Sequence, residues 1–496
     1  MGRARVGRAL AAAYDIWTLA WRIMLRRVMD VAGDRAVLSL VGHFDSSPAH
    51  YDGAGLGKMY SNITGLSIGF GFNLGLATLC AQATGAGLAE VENPVLLRRA
   101  AFVGLFAMCF SSAAAFAAQP LLEVAGMPAD VAATSAAFAK WSLTTLPFMW
   151  AVNALEKICD SLRQTRPTIF AVATGTVVNV GVSVAALHPK VLNWGYLGLT
   201  ASRSIASAAQ LAVLLSLIHA QQLDAQVWLR GDAARRTVVL NGKAIRSYLT
   251  VAVPGALLMW GEWWSFEGLA ILAAWLPDAR IVLAAHATLY NITVASNMIF
   301  AALGSAICAI VGRSIGARRP RDVPWQLLGA LLIAVPLASI VAVALYFSIG
   351  TLARFFTQEH DVQDLIERTA LGPSVTVAAF AMLFTGFGVC RGINRQQQAA
   401  TQALFFYAAG IGLAYYAGVV RGWPQPLLGM WIGNASAVGA AAVATLLIVS
   451  CIRYEAISSA VTGDDAPGDN PDEVSPPLWQ REAFLEHSVQ GEPQRA

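Results

Sequence analysis

Charge is what this sequence has least of. Only 13% of its 496 residues are Asp, Glu, Lys or Arg, against about a quarter in a typical soluble chain, whereas 56% are hydrophobic and the mean hydropathy is +0.55. That balance excludes an ordinary soluble two-domain protein and leaves a polytopic membrane protein. The 34 basic and 30 acidic residues leave a formal charge of +4 and no dense basic stripe, so a nucleic-acid partner is excluded too. Six cysteines, Cys80, Cys109, Cys159, Cys308, Cys390 and Cys451, stand singly in or beside apolar runs. They lack the pairing of a zinc site or a disulfide scaffold and read as small hydrophobes. No Gly-rich loop ending in Lys-Ser/Thr occurs, so ATP-driven work is disfavoured; a proton gradient, or less favourably a sodium gradient, is the simpler energy source, with no cofactor. The basic start MGRARVGRAL runs on into further charges instead of a clean apolar core and cleavage site, so no cleaved signal peptide is expected.

What the chain does have is apolar length. A membrane-spanning helix needs about 20 mostly apolar residues, and such stretches occur near 55–80, 98–119, 131–153, 168–187, 194–219, 247–275, 281–309, 326–350, 369–389, 398–420 and 427–451. Several are rich in Gly, Ala and Ser, which lets helices approach closely in lipid. Alternate connections carry the Lys and Arg, from Arg98 and Arg99 through Lys157, Arg230 and Arg318 to Arg453. The basic-inside rule makes these connections, and the C-terminus, cytoplasmic. Eleven spans would then put the N-terminus outside, yet it carries Arg3, Arg5, Arg8, Arg22, Arg26, Arg27 and Arg35. A twelfth span before residue 43 resolves the conflict, although its charges make it costly in lipid. That segment reads as an interfacial amphipathic helix, a degenerate span shielded inside the bundle, or the product of an incorrect gene model.

An internal repeat organises the spans. Gln82-x-x-Gly85-Ala86 matches Arg313-x-x-Gly316-Ala317 at a separation of 231, and the polar turn Arg163–Pro167 falls at nearly the same offset from Arg391–Gln398. Two repeated bundles flanking a cavity are a known solution to alternating access. The expected organisation is a basic region with an atypical or absent first span (1–42), an N-terminal helical lobe (43–219), an amphipathic cytoplasmic linker (220–245), a C-terminal helical lobe (246–453) and a disordered cytoplasmic tail (454–496). The fold class is thus an all-α membrane protein of two pseudo-symmetric six-helix bundles.

The best candidate chemistry lies in PGALLMWGEWWSFEGLAILAAWLP. Residues 260, 264 and 267 share one helical stripe, so Trp260 and Trp264 lie along the face that presents Glu267. Aromatic rings attract a desolvated cation, and a carboxylate in low dielectric can trade a proton for one. A structural carboxylate paired with another helix is the alternative. Glu262, about 140° away around the helix, is either a second carboxylate of the site or a packing residue. In the next span His286, Tyr290, Thr293 and Asn297 share a side, which suits a polar cavity wall or satisfied interhelical hydrogen bonds. Asn73 is a weaker version of the same signal. Arg203, within an apolar run, either snorkels to an interface or pairs with an acid.

Several motifs taken together resemble the multidrug and toxic compound extrusion family, specifically its eukaryotic branch. ATLCAQATGAG, with Gln82 and Gly85, resembles that family's TLCGQAxGA signature. Trp264-Ser265-Phe266-Glu267 matches WSFE, Gly388-Val389-Cys390-Arg391-Gly392 resembles GVxRG, and Gly429-Met430-Trp431-Ile432-Gly433 resembles GxWIG. The ordered matches run from about 37 to 455. The resemblance implies a twelve-helix, two-lobed transporter, not an enzyme, exchanging an organic cation or metabolite for H⁺ or Na⁺; an uncoupled or degenerate relative and an organic-anion exporter are the alternatives. It places the coupling carboxylate at Glu267, helped by Glu262 or His286, and gating motifs at Gln82, Gly85, Arg313, Gly316 and Arg391; the helical stripes above make Trp260, Trp264, His286, Tyr290, Asn297 and Asn73 the expected substrate cavity. It also implies a monomer in the plasma membrane or a vacuolar or other endomembrane, with the lipid bilayer and a small amphipathic organic cation or metabolite as partners. The chain departs from the pattern at Phe380 and Val282, where the family carries acids, at Arg313, where it carries Asn, and in the first helix, whose usual acid and proline are not recognisable.

Overall fold

The computed structural model describes residues 2–44, 48–228 and 241–455, and all regular structure among them is helical. The first half contains α1 (Gly2–Phe44), α2 (Pro48–Ser61), α3 (Ser67–Gly85), α4 (Ala89–Phe116), α5 (Ala118–Val124), α6 (Ala129–Ser142), α7 (Leu146–Ser161), α8 (Arg166–Leu187) and α9 (Gly198–Ala220). A π-helical turn, Asn62–Leu66, joins α2 to α3. The second half contains α10 (Gly242–Ala273), α11 (Ala279–Gly316), α12 (Val323–Phe356), α13 (His360–Arg368), α14 (Leu371–Gly392), α15 (Gln396–Tyr415) and α16 (Pro426–Cys451). Residues 229–240 of the expected 220–245 linker and nearly all of the expected 454–496 tail lie outside the described residues.

Among the described residues nine helices are long and apolar enough to cross a membrane, two fewer than the eleven apolar stretches. The stretch at 131–153 is divided between α6 and α7 by a turn at Leu143–Thr145, followed by Pro147 in the first turn of α7. Proline has no N–H to continue the preceding helix but suits a helix start. The stretch at 247–275 forms most of α10, a helix of 32 residues, but Pro254, Glu262 and Glu267 make it less apolar than the nine. Together with α1, these segments supply the helices of a two-lobed twelve-helix architecture.

The charged N-terminal segment is one helix of 43 residues. Ile16, Leu19, Ala20, Ile23 and Arg26 are buried on one face, while Leu10, Tyr14, Trp17, Trp21, Leu25 and Val28 form an exposed apolar stripe on another. Spacings of three and four residues keep that stripe on one side of a helix. The segment is therefore a degenerate first helix: an apolar stripe faces outward, and its charge is concentrated elsewhere.

The helices fall into two compact units. One combines the chain up to Val28 with Leu257–Ile310 and Asp322–Ile452; the other combines Met29–Ala256 with Val311–Arg321. The chain changes unit inside α1 at Val28/Met29, inside α10 at Ala256/Leu257 and inside α11 at Ile310/Val311. Glycines explain why the start of α10 belongs to the first-half unit: a Cβ on Gly71 or Gly75 of α3 would lie 2.6 Å from the Cα of Ala256 or Ala252, so α3 and α10 meet backbone to backbone. Within that unit α8 packs on α9, α2 on α6, and α3 on α4 and α7. Within the other, α14 packs on α16 and α12, and α15 on α16. Gly388 of α14 meets the Gly304 carbonyl of α11, with a Cβ there only 2.7 Å away. Gly433 of α16 meets Leu413 of α15 in the same way, at 2.6 Å. The glycines of the GVxRG-like and GxWIG-like motifs are thus helix-packing residues.

Candidate functional site

In the second-half unit, α10 presents two carboxylates at different depths of packing. Glu267 is half-buried and lies on the stripe that includes Leu257, Trp264 and Ile271, all exposed. Trp264 is 59% exposed; it lies on this open flank, while Trp260 is half-buried with its Nε1 unpartnered. Glu267 has no hydrogen-bond or ion-pair partner among the described residues. Glu262, also half-buried, is within electrostatic reach of Arg391 and Tyr407. Arg391 is buried, donates weakly from Nε to the Phe387 carbonyl at 3.4 Å, and lies beside Gly304. The motif arginine is therefore a buried cation on α14 that acts electrostatically on Glu262.

The aromatic residue of the WSFE motif that turns inward is Phe266. Its ring lies 5.2 Å from Tyr290 and stacks 5.6 Å from Phe380. Phe380 in turn lies 5.6 Å from Phe384 and 6.5 Å from Tyr407. At the position where the related pattern has an acid, this chain has the centre of an aromatic cluster linking α10, α11, α14 and α15. Val282 is buried.

The α11 stripe faces the interior of this unit. The His286 ring lies 5.6 Å from Trp431, and its Nδ1 is buried without a partner. Thr293 donates to the Leu289 carbonyl at 2.7 Å and is satisfied within its own helix. Both amide atoms of Asn297 are buried and unpartnered, as are those of Asn434 on α16. Buried polar atoms are ordinarily paired, so the stripe suits an interior that water or a polar solute completes more than a finished hydrogen-bond network.

Asn73 is placed differently. Its Nδ2 donates to the Trp150 carbonyl and to Asn153 Oδ1, each at 3.2 Å. Its amide nitrogen ties α3 to α7.

The two halves of the repeat signature meet each other. A Cβ on Gly85 would fall inside the Arg313 carbonyl, and one on Gly316 inside the Gln82 carbonyl. Gln82 is fully buried and Arg313 half-buried. The paired glycines let the ends of α3 and α11 cross at backbone distance, reciprocally.

One cluster was not recognised as a site from sequence. In the first-half unit Lys58 Nζ donates to Asp34 Oδ2 at 2.6 Å, and Arg203 Nη1 donates to Asp34 Oδ1. Arg203 thus pairs with an acid. A lone lysine in the span at 55–80 and a lone arginine in the span at 194–219 were the available signals; their shared carboxylate was hidden in the charged N-terminal helix.

Comparison with known proteins follows the same architecture. The MatE family model matches twice, over residues 23–185 and 254–416; the two starts are 231 residues apart, the offset of the Gln82 and Arg313 motifs. The first match begins inside α1, so α1 and α10 open equivalent repeats. Multidrug and toxin extrusion protein 2 of Oryctolagus cuniculus is 25% identical over 393 residues, covering 78% of this chain and 63% of that protein. Protein DETOXIFICATION 8 of Arabidopsis thaliana is 22% identical over 406 residues, covering 80% of each. In fold, the chain is similar to the crystal structure of the eukaryotic MATE transporter AtDTX14, with a TM-score of 0.80 at 19% identity over 91% of this chain and 98% of that one. With the family model spanning both repeats, the chain belongs to the MatE family, whose members are membrane transporters and not enzymes.

Proposed function

We propose that the protein is a secondary antiporter that exports an organic cation or metabolite in exchange for protons by alternating access. The observation that carries this reading is Glu267, a half-buried carboxylate on α10 with no hydrogen-bond or ion-pair partner among the described residues. An ionisable group within a membrane span is costly and is retained where it meets water, an ion or a substrate. The open flank that carries Glu267 is then an aqueous face and not a lipid face. Glu262 already has Arg391 as a neighbouring cation, which leaves Glu267 to exchange a proton for a cationic solute. Aromatic side chains beside it supply ring faces for a desolvated cation.

In this cycle a proton from the outside or lumen neutralises Glu267 and weakens its hold on the cation, which leaves. The protonated protein reopens toward the cytoplasm, the proton is lost, and a new cation binds. The cation and the proton compete for one carboxylate, so the coupling needs no second energy source. The orientation that accompanies this reading has a cytoplasmic C-terminus and a plasma or endomembrane location, with H⁺ favoured over Na⁺.

The test is exchange in proteoliposomes. Wild-type protein is expected to move tetraethylammonium against an opposing proton gradient, and Glu267→Gln to reduce gradient-driven flux at least about tenfold, with an unchanged gel-filtration profile. An E267Q rate equal to wild type would overturn the mechanism. The replacement of an acid by Phe380 favours a second reading, uncoupled flux, which predicts wild-type rates indifferent to the imposed gradient.

A further inference from the structure

The basic start of the chain has no part in the exchange proposed above, yet it is held in a defined place. Arg3, Arg5 and Arg8 stand in the first 14 residues with no acid among them. Arg5 and Arg8 are exposed, and among the described residues neither has a carboxylate partner. Their helix is docked, not loose. A Cβ on Gly329 of α12 would lie 2.6 Å from the Ala13 nitrogen of α1, and the Arg8 guanidinium lies 6.0 Å from the centre of the Trp325 ring. An arginine stacked on an aromatic face keeps the N–H groups at the edge of its planar fork available. Arg5, three residues away, lies on the same side of α1 and adds a second cation. The acid next to this end of α12 is Asp322, exposed on the turn before the helix; Arg321 beside it is paired with Glu455. Two arginines against one carboxylate leave this end of the seam between α1 and α12 positive.

The apolar neighbours of these arginines follow from depth. From 323 to 353, α12 carries no charged residue. At 1.5 Å per residue that run is about 45 Å long, more than the roughly 30 Å hydrocarbon core of a bilayer requires. Trp325 stands at one end of it, and tryptophan rings settle at the membrane–water interface. From that end exposed apolar side chains run along both helices: Leu10, Tyr14 and Trp17 on α1, Leu328, Leu332 and Val335 on α12. Spacings of three and four residues keep each set on one stripe. Val335 lies about 15 Å along α12 from Trp325, the hydrocarbon depth of one leaflet.

We infer that the charged end of the α1–α12 seam binds an anionic phospholipid, with the phosphodiester on Arg5 and Arg8 and an acyl chain along the two apolar stripes. Such a lipid meets both the positive charge and the apolar length. A soluble phosphate ester has no chain for the stripes, and a zwitterionic lipid brings an ammonium of its own. In the orientation proposed above the lipid belongs to the cytoplasmic leaflet, where anionic lipids attract basic segments. The site rests on α1 and α12 and does not depend on the role proposed for Glu267.

Native mass spectrometry of the full-length protein tests this, with dodecyl maltoside micelles carrying equal amounts of phosphatidylglycerol and phosphatidylcholine. Wild-type protein is expected to retain one phosphatidylglycerol with a preference of at least about fivefold, the effect of one arginine near an anionic surface. R5Q/R8Q is expected to keep its phosphatidylcholine adducts while the preference falls to within about twofold, a change of ratio that misfolding does not produce. W325L should weaken the preference by releasing Arg8 from its platform, and R421Q, outside the seam, should leave it unchanged. A preference in R5Q/R8Q equal to wild type overturns the inference. So does displacement of the lipid by equimolar sn-glycerol 3-phosphate, because the apolar stripes would then contribute nothing. Protein dimers in place of lipid adducts, dissolved by R5Q/R8Q, would assign the face to a second copy of the chain and overturn it as well.

Discussion

At Phe380 a single side chain changes how the second-half unit is held together. Where the motif resemblance implies an acid, this chain stacks a fully buried ring between Phe266 and the Phe384–Tyr407 pair. An acid there would need a partner; the ring needs only neighbours. Truncating a buried phenylalanine typically costs about 3–5 kcal/mol. F380A is therefore expected to lower the thermal unfolding midpoint in detergent by several degrees, and a midpoint within about one degree of wild type would show that the cluster does not support the bundle. The same substitution separates roles: because Phe380 is apolar, its loss should weaken the fold without creating a new proton-binding group. The position of Phe380 was readable as a departure from the family pattern. Its stacking on Phe266 was not, because those residues are distant in sequence and meet only when α10 and α14 pack.

At the scale of elements, the repeated Gly-Ala motifs are a crossing of two helix ends. Gly85 stands where a side chain would strike the Arg313 carbonyl, and Gly316 where one would strike that of Gln82. The atoms in the way are backbone, which cannot rotate aside, so one added methyl must separate α3 from α11. Overpacking of this kind costs about 1–3 kcal/mol. G85A and G316A are each expected to lower the unfolding midpoint, whereas G439A, on α16 with open space around it, should be neutral or slightly stabilising through helix propensity. Equal effects at all three positions would refute the crossing as the cause. The first helix teaches a related lesson. Its charges made it unreadable as a span, but the spacing of Leu10, Tyr14, Trp17, Trp21, Leu25 and Val28 was visible in the chain as an apolar stripe. Whether that stripe was buried or exposed depended on which neighbours covered the opposite face.

For the whole molecule, the repeat offset ties motif, family match and element order together. α1 and α10 open equivalent halves, yet the halves carry different charges: Asp34 with Lys58 and Arg203 in one, Glu262 and Glu267 with Arg391 in the other. One architecture thus carries two differently charged interiors. The proposed orientation gives a further expectation. In a cysteine-free background, a thiol at Gln358, between α12 and α13, should react with a membrane-impermeant maleimide from outside intact cells. One at Arg318, at the end of α11, should react only after permeabilisation. The opposite pattern would reverse the orientation.

Membrane residence, the repeat and most of the spans were determined by the sequence alone, because each rests on composition within about 20 neighbouring residues and the bilayer sets the length that composition must cover. Glu267 was legible for the same reason, as a carboxylate within an apolar run. The partners of the charged residues were decided by the tertiary structure. Asp34 and Arg203 are 169 positions apart, and no local pattern specifies that α1 and α9 bring them together. The same is true of the division of α10 between two units and of the reciprocal contact between Gly85 and Gly316. Apolar length can be read along a chain, but the pairing of a buried charge depends on which helices become neighbours.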